Sequence, residues 1–162
     1  MSLRYARRTD HAFRDGLDAW AVVGQAREAA ARGEDVIDLS IGDPDFDSPQ
    51  KVIDEAVRSV RSGRTHYCGA AGIPELRQAI ARYHMRVAKQ PCGPGNVVVF
   101  PGSQSALYHA LQVVMDEGTE AIVLDPAYST YEGCVVATGG KAVMVPLDAD
   151  NGFHIDIEAV RA

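Results

Sequence analysis

No stretch of this sequence concentrates positive charge. Sixteen Lys and Arg stand against 22 Asp and Glu, giving a formal net charge of -6. With no basic block, nucleic acid and anionic membrane surfaces are not expected as partners. Cysteine is scarce as well: Cys68, Cys92 and Cys134 are widely spaced and odd in number. No CxxC or Cys/His ligand spacing occurs, so neither a disulfide framework nor a zinc site is expected, and reduced thiols in the cytoplasm are. The five histidines, His11, His66, His84, His109 and His154, share no helical ligand spacing, and no metal is expected. No apolar run approaches the roughly 20 residues that span a bilayer. The N-terminal MSLRYARRTDHAF has arginines but no continuous apolar segment, so no secretory signal is expected. What is present is ordinary. At 46% hydrophobic and 23% charged over 162 residues, the chain can build a core as one domain, or one domain with an appended arm.

The apolar pattern changes character along the chain. Residues 15–32 read as a helix with Leu17, Trp20 and Val23 on one face and Gly33 ending it. Val36 to Ile41 reads as a short strand, followed by the turn-forming GDPDFDSP of residues 42–49. Ser48 and Pro49 are placed to cap and open a helix that buries Val52, Ile53, Ala56, Val57 and Val60. After the irregular RTHYCGAAGI (64–73), Pro74 opens another helix with Leu76, Ala79, Ile80, Tyr83 and Val87 on one stripe. Beyond the loop QPCGPGN (90–96), strands at 97–100, 121–124 and 142–145 alternate with helices near 103–116 and 128–138. That alternation, with strands that are continuous apolar runs (VVVF, AIVL, AVMV), predicts an α/β fold whose parallel sheet is covered by helices.

Ligands of such sheets gather beyond the carboxyl ends of the strands. Two loops fall there. In Pro101-Gly102-Ser103-Gln104-Ser105, the amides of Ser103 and Gln104 open a helix and could hold a phosphate. The same residues also serve as an ordinary helix start, and spacing alone leaves both readings open. The loop is neither GxGxxG nor GxxxxGK[ST], which counts against a dinucleotide or a nucleoside triphosphate. In Asp125-Pro126-Ala127-Tyr128, Tyr128 could stack on a planar ring or simply cap a sheet edge. Tyr67, in a glycine-containing segment, means little alone. Ser48-Pro49-Gln50-Lys51 matches the S-x-x-K nucleophile pattern, but no SDN follows and helix-start chemistry explains it better.

Together the loops carry a specific pattern. IGDPDFDSP (41–49), THYCGAAGIPELRQAIA (65–81), VVVFPGSQSALYHAL (97–111) and VLDPAYSTYEG (123–133) follow one another in an order and spacing that resembles the first part of class I/II aminotransferases. These are fold-type I enzymes that use pyridoxal phosphate. The resemblance runs from about residue 15 to the end. Trp20 after Asp15-Gly16, together with Asp150-Asn151-Gly152-Phe153, looks closest to the arginine–pyruvate branch. It implies a division into an arm, helix and small-domain strand over residues 1–45 and part of the cofactor-binding large domain over 46–162. It also implies amino acid and 2-oxo acid substrates and a homodimer. By the resemblance, Gly42 lies at the substrate carboxylate, and Ser103 and Gln104 hold the cofactor phosphate through their amides. Tyr128 stacks on the pyridine ring, and Tyr67 donates its hydroxyl to the phosphate in the neighbouring subunit.

Family members are more than twice as long. Four of their residues have no counterpart in these 162 residues: the asparagine at the pyridine hydroxyl, the aspartate at the ring nitrogen, the lysine bonded to the cofactor, and the arginine at the substrate carboxylate. Lys51, Lys89 and Lys141 are the lysines present, none in the family's serine-rich context. The resemblance thus implies a cofactor-binding portion with no catalytic residue, inactive alone. It further implies that strand 97–100 and strands 121–124 and 142–145 lie toward opposite edges of a seven-stranded sheet. Two other readings remain: a pyridoxal-phosphate lyase or decarboxylase of the same fold, and a non-catalytic remnant that binds the cofactor or a partner.

Overall fold

The computed structural model describes residues 19–161. They form two compact units, residues 39–101 in one, and the residues up to Asp38 with those from Gly102 onward in the other. Leu17 lies outside the described residues.

The second of these units holds the α/β part. Helix α1 covers Ala19–Ala31, with Val23 buried. Helix α4 runs from Ser103 to Val114 and leads into strand β1, Glu120–Asp125. Helix α5, Tyr131–Ala137, then crosses to strand β2, Lys141–Pro146. The strands pair in parallel and in register from Glu120 with Lys141 to Asp125 with Pro146. A parallel pair needs a crossover, and α5 supplies it. The core sits between sheet and helices: Met115, Val123 and Val135 are buried together, with Leu111, Ala121 and Ala142 packed against them. Glu120 and Lys141, opposite each other at the amino ends of the strands, form an exposed ion pair of 2.8 Å. Helix α6, Ile157–Arg161, closes the described chain.

The unit of residues 39–101 is helical. Helix α2 spans Gln50–Arg61. Pro49, not Ser48, holds the cap position, because Pro49 is extended (φ -53°, ψ 135°) and its carbonyl receives the amides of Val52 and Ile53. No side chain caps α2. Helix α3 spans Pro74–Ala88, with Pro74 in its first turn as anticipated. A 3-10 turn at Pro94–Asn96 follows, held by Asn96, whose side-chain oxygen accepts the Gly93 amide at 3.0 Å.

Three sequence expectations fail here. Val36–Ile41 forms no strand, and Ile37 and Leu39 are largely exposed. Val97–Phe100 is not a strand, while its pairing with neither β1 nor β2 is what opposite edges of a larger sheet imply. The Val99 amide instead donates to the Ala71 carbonyl at 3.0 Å. The anticipated apolar stripes are also not buried: α2 has no buried residue, and Val52, Ile53, Val57 and Val60 all stay exposed. On α3 the buried position is Ala81, with Arg77 half-buried one turn before it, while Leu76, Ile80, Tyr83 and Val87 face outward. The physical reason is what lies opposite. The element that α3 meets is the turn at 94–96, where the Arg77 guanidinium takes the Pro94 and Val97 carbonyls.

Candidate functional site

Helix α4 starts where the sequence indicates, at Ser103. Gly102 holds the cap position with φ 88° and ψ 152°, a conformation that glycine adopts without steric penalty. The first amides of an α-helix have no intrahelical acceptor, and the first bond across this start runs from the Ala106 amide to the Gly102 carbonyl, 3.2 Å. No side chain caps the helix and no acidic residue stands in its first turn. Ser103 and Gln104 are exposed, Ser105 half-buried. A methyl group built on Gly102 would meet nothing within 4 Å. The start of α4 therefore offers open, uncapped amide donors at the positive end of a helix dipole, and an anion fits that donor set.

Tyr128 stands three residues beyond the carboxyl end of β1. Its carbonyl accepts the Tyr131 amide at 3.0 Å in the turn that precedes α5. The two rings lie 5.8 Å apart, tilted by 50°. Tyr131 thereby supports one flank of the Tyr128 ring, which remains 61% exposed and free to stack on a planar group. In the same turn the Thr130 hydroxyl is buried without a hydrogen-bond partner. Tyr128 follows β1, but the run before Ser103 is not part of that sheet.

In the other unit, Tyr67 is wholly exposed in the segment between α2 and α3, beside the exposed Cys68. Gly42 lies in an exposed irregular stretch where a methyl group would meet nothing within 4 Å. Of the three lysines, Lys141 is engaged with Glu120 at the amino end of the sheet, opposite the end that carries Tyr128. Lys51 is exposed on α2, and Lys89 ends α3 with a left-handed backbone, φ 58°. Among the described residues no three His, Cys, Asp or Glu side chains are grouped to hold a metal ion. No helix of the described residues is long and apolar enough to cross a membrane.

Sequence reasoning missed Arg77. Its half-buried guanidinium donates from Nε to the Val97 carbonyl at 2.8 Å and from Nη2 to the Pro94 carbonyl at 2.6 Å. Its partners are carbonyls 17 and 20 residues away, so no local signal marked it.

The described residues combine a parallel strand pair and its helical crossover with an open helix start after a glycine and a tyrosine beyond a strand's carboxyl end, an α/β arrangement. Comparison with known proteins goes further: residues 34–162 match the family Aminotransferase class I and II. The chain belongs to that family. It is 39% identical over 160 residues to the arginine–pyruvate transaminase of Pseudomonas aeruginosa, covering 99% of this chain and 41% of that protein. It is 38% identical over 141 residues to an aspartate aminotransferase of Bacillus subtilis, covering 87% of this chain and 36% of the relative. Among solved structures, an aspartate aminotransferase of Thermus thermophilus with maleate superposes with a TM-score of 0.90 at 35% identity, covering 99% of this chain and 41% of the other. The chain thus spans about two fifths of the length of these relatives.

Proposed function

We propose that these residues are the phosphate- and ring-binding part of a pyridoxal-phosphate-dependent aminotransferase, which moves an amino group between an amino acid and a 2-oxo acid. The observation that carries the reading is the open, uncapped start of α4 at Gly102–Ser103–Gln104 in a chain whose residues 34–162 match the family. Bound pyridoxal phosphate would supply an electron sink for the amino acid's α-carbon. The chain's own residues bind and orient. The Ser103 and Gln104 amides, with the Ser103 hydroxyl, donate to the phosphate oxygens. Charge-assisted bonds of this kind contribute about 1.5–3 kcal/mol each. The Tyr128 ring stacks on the pyridine and restricts its tilt. The Tyr67 hydroxyl donates to the phosphate held by a second copy of the chain in a homodimer, and the Gly42 backbone lies at the substrate carboxylate. None of Lys51, Lys89 or Lys141 has a role in this reading. A cytoplasmic location and the residue division 1–45 and 46–162 belong to the same proposal.

The test uses Ser103→Pro. Ser103 is the first residue of α4, where proline's fixed φ suits the helix and its missing amide hydrogen breaks no helical bond. The ψ of 152° at Gly102 already suits a following proline. The variant removes one amide and one hydroxyl donor while leaving the helix intact. Equilibrium dialysis should find that the parent chain binds pyridoxal phosphate, that inorganic phosphate competes, and that Ser103→Pro weakens binding at least about tenfold, the factor of one such bond. Unchanged affinity in the variant would refute the phosphate reading of this loop.

A further inference from the structure

We infer that Arg77 is a positioning residue for Tyr67, acting through the 94–99 segment. The inference rests on the reading of Tyr67 as a phosphate donor, and all of its structural links lie within the unit of residues 39–101.

The links are few and consecutive. Arg77 holds two backbone carbonyls three residues apart, those of Pro94 and Val97. A planar fork of donors suits that task, which a lysine's single ammonium meets only in part. The Pro94 carbonyl also accepts the Val97 amide at 3.3 Å, so the guanidinium locks the 3-10 turn in its closed form. The Val97 side chain is itself buried. Two residues on, Val99 donates its amide to Ala71 at 3.0 Å. The Val99 side chain stands against Gly72, whose backbone has φ 100°. A β-carbon there would lie 2.8 Å from Val99 Cγ2, so the two chains meet at the closest approach that glycine permits. The Gly72 amide turns back to the Gly69 carbonyl at 2.8 Å. Tyr67 precedes that turn by two residues.

The segment is also tied at its two ends, where the Arg64 amide donates to the Ser59 carbonyl at 3.0 Å and the Ile73 carbonyl accepts the Arg77 amide at 3.1 Å, and by an exposed Arg64–Glu75 ion pair at 3.4 Å, of the kind that contributes little. Between those ends, the Ala71–Val99 bond and the Gly72–Val99 contact are the firm anchor of the Tyr67 segment. That anchor depends on Val99, which stands two residues beyond the turn that Arg77 holds, and the Arg77 stem itself comes within 3.9 Å of where a Gly72 β-carbon would lie. Releasing the guanidinium frees the 94–99 segment, then the 69–72 turn, and spreads the positions open to the Tyr67 hydroxyl.

The experiment compares the full 162-residue chain with Arg77→Met, Arg77→Lys, Tyr67→Phe and the double variant Arg77→Met/Tyr67→Phe. Amide exchange is followed in the absence of ligand. Arg77→Met should raise exchange about tenfold at Val99 and across 69–72, with β1 unchanged as the internal reference, and Arg77→Lys should restore part of the protection. Binding of pyridoxal phosphate is then measured. Tyr67→Phe and Arg77→Met should each weaken it several-fold, and the double variant should be no weaker than the weaker single, because Arg77 acts through Tyr67. Unchanged exchange at 69–72 in Arg77→Met overturns the inference. Additive losses in the double variant also overturn it, since they indicate a separate structural role. If Arg77→Met loses protection in β1 too, Arg77→Lys decides by the same criteria. A parent chain that is dimeric under the assay and whose affinity does not respond to Tyr67→Phe refutes the Tyr67 reading instead, and the exchange data still decide whether Arg77 holds the segment.

Discussion

Cys134 and Cys68 differ in what surrounds them, and the difference is measurable. Cys134 is buried on α5, and burial pushes its thiol above the ordinary value because the thiolate cannot be solvated there. Cys68 is exposed beside Tyr67. A disulfide reagent near neutral pH should therefore label Cys68 promptly and leave Cys134 untouched until the chain unfolds. The sign of the pH effect follows. The unfolded chain loses the Cys134 proton at the ordinary thiol pKa, whereas the folded chain keeps it to higher pH. Cys134 thus lowers stability as pH rises above that ordinary value and has no effect below it. Thermal melts of the parent and Cys134→Ala between neutral and alkaline pH would check this. The parent should lose more of its melting temperature than the variant, and equal losses would contradict the burial argument.

At the scale of elements, the β1–α5–β2 unit is held by a small core, which Met115 at the end of α4 completes. Met115 closes the core against Val123 and Val135, and its sulfur lies 3.9 Å from the Thr138 hydroxyl, which donates to the Val135 carbonyl at 2.7 Å. Gly140 runs so close to it that a β-carbon would lie 2.5 Å from the methionine methyl and 3.1 Å from the Thr119 carbonyl. Met115→Ala should cost about 2–5 kcal/mol by the usual range for such truncations, read as a lower denaturant midpoint. A cost under about 1 kcal/mol would show that the site collapses onto the smaller side chain. These elements were the most legible in the sequence. AIVL and AVMV are apolar runs that need two covered faces, and the chain pairs them with each other around α5. The start of α4 was also legible, because glycine followed by small polar residues marks a helix start whatever surrounds it. VVVF and VIDLSI are as apolar as the true strands, yet neither becomes one. Strand formation depends on a hydrogen-bonding neighbour, and local composition does not carry that information. The stripes of α2 and α3 failed likewise: periodicity marks which residues could be buried, not whether anything lies opposite them. For the candidate site, the loops at Ser103 and Tyr128 could be read locally. Arg77 could not, because its partners are carbonyls 17 and 20 residues away.

For the whole molecule, the decisive quantity is how little apolar surface is covered. Helix α2 has 12 residues and buries none of them, although Val52, Ile53, Val57 and Val60 repeat at helical spacing. An isolated helix of that length is marginal in water, and helices in proteins draw most of their stability from packing one face. The exposed Glu55–Arg58 pair on α2, which lowers the Glu55 carboxyl below its ordinary pKa, does not replace that packing. The sheet has the same deficit in another form. Among the described residues the sheet has two strands, each with an outer edge that no third strand pairs, and such edges template association. Ile122 and Met144 on these strands are 51% and 40% exposed. Two linked outcomes are expected for the 162-residue chain alone. Amides of α2 should exchange much faster than those of β1 around the buried Val123, because local opening of α2 uncovers nothing new. The mass in solution should rise with concentration, and Ile122→Lys should reduce that rise, because Ile122 lies outside the core cluster and a charge on an edge strand opposes pairing. Light scattering across a concentration series, with hydrogen exchange at the lowest concentration, separates the two. If α2 were as protected as β1 in a strictly monomeric sample, its exposed stripe would have to be covered within the chain itself.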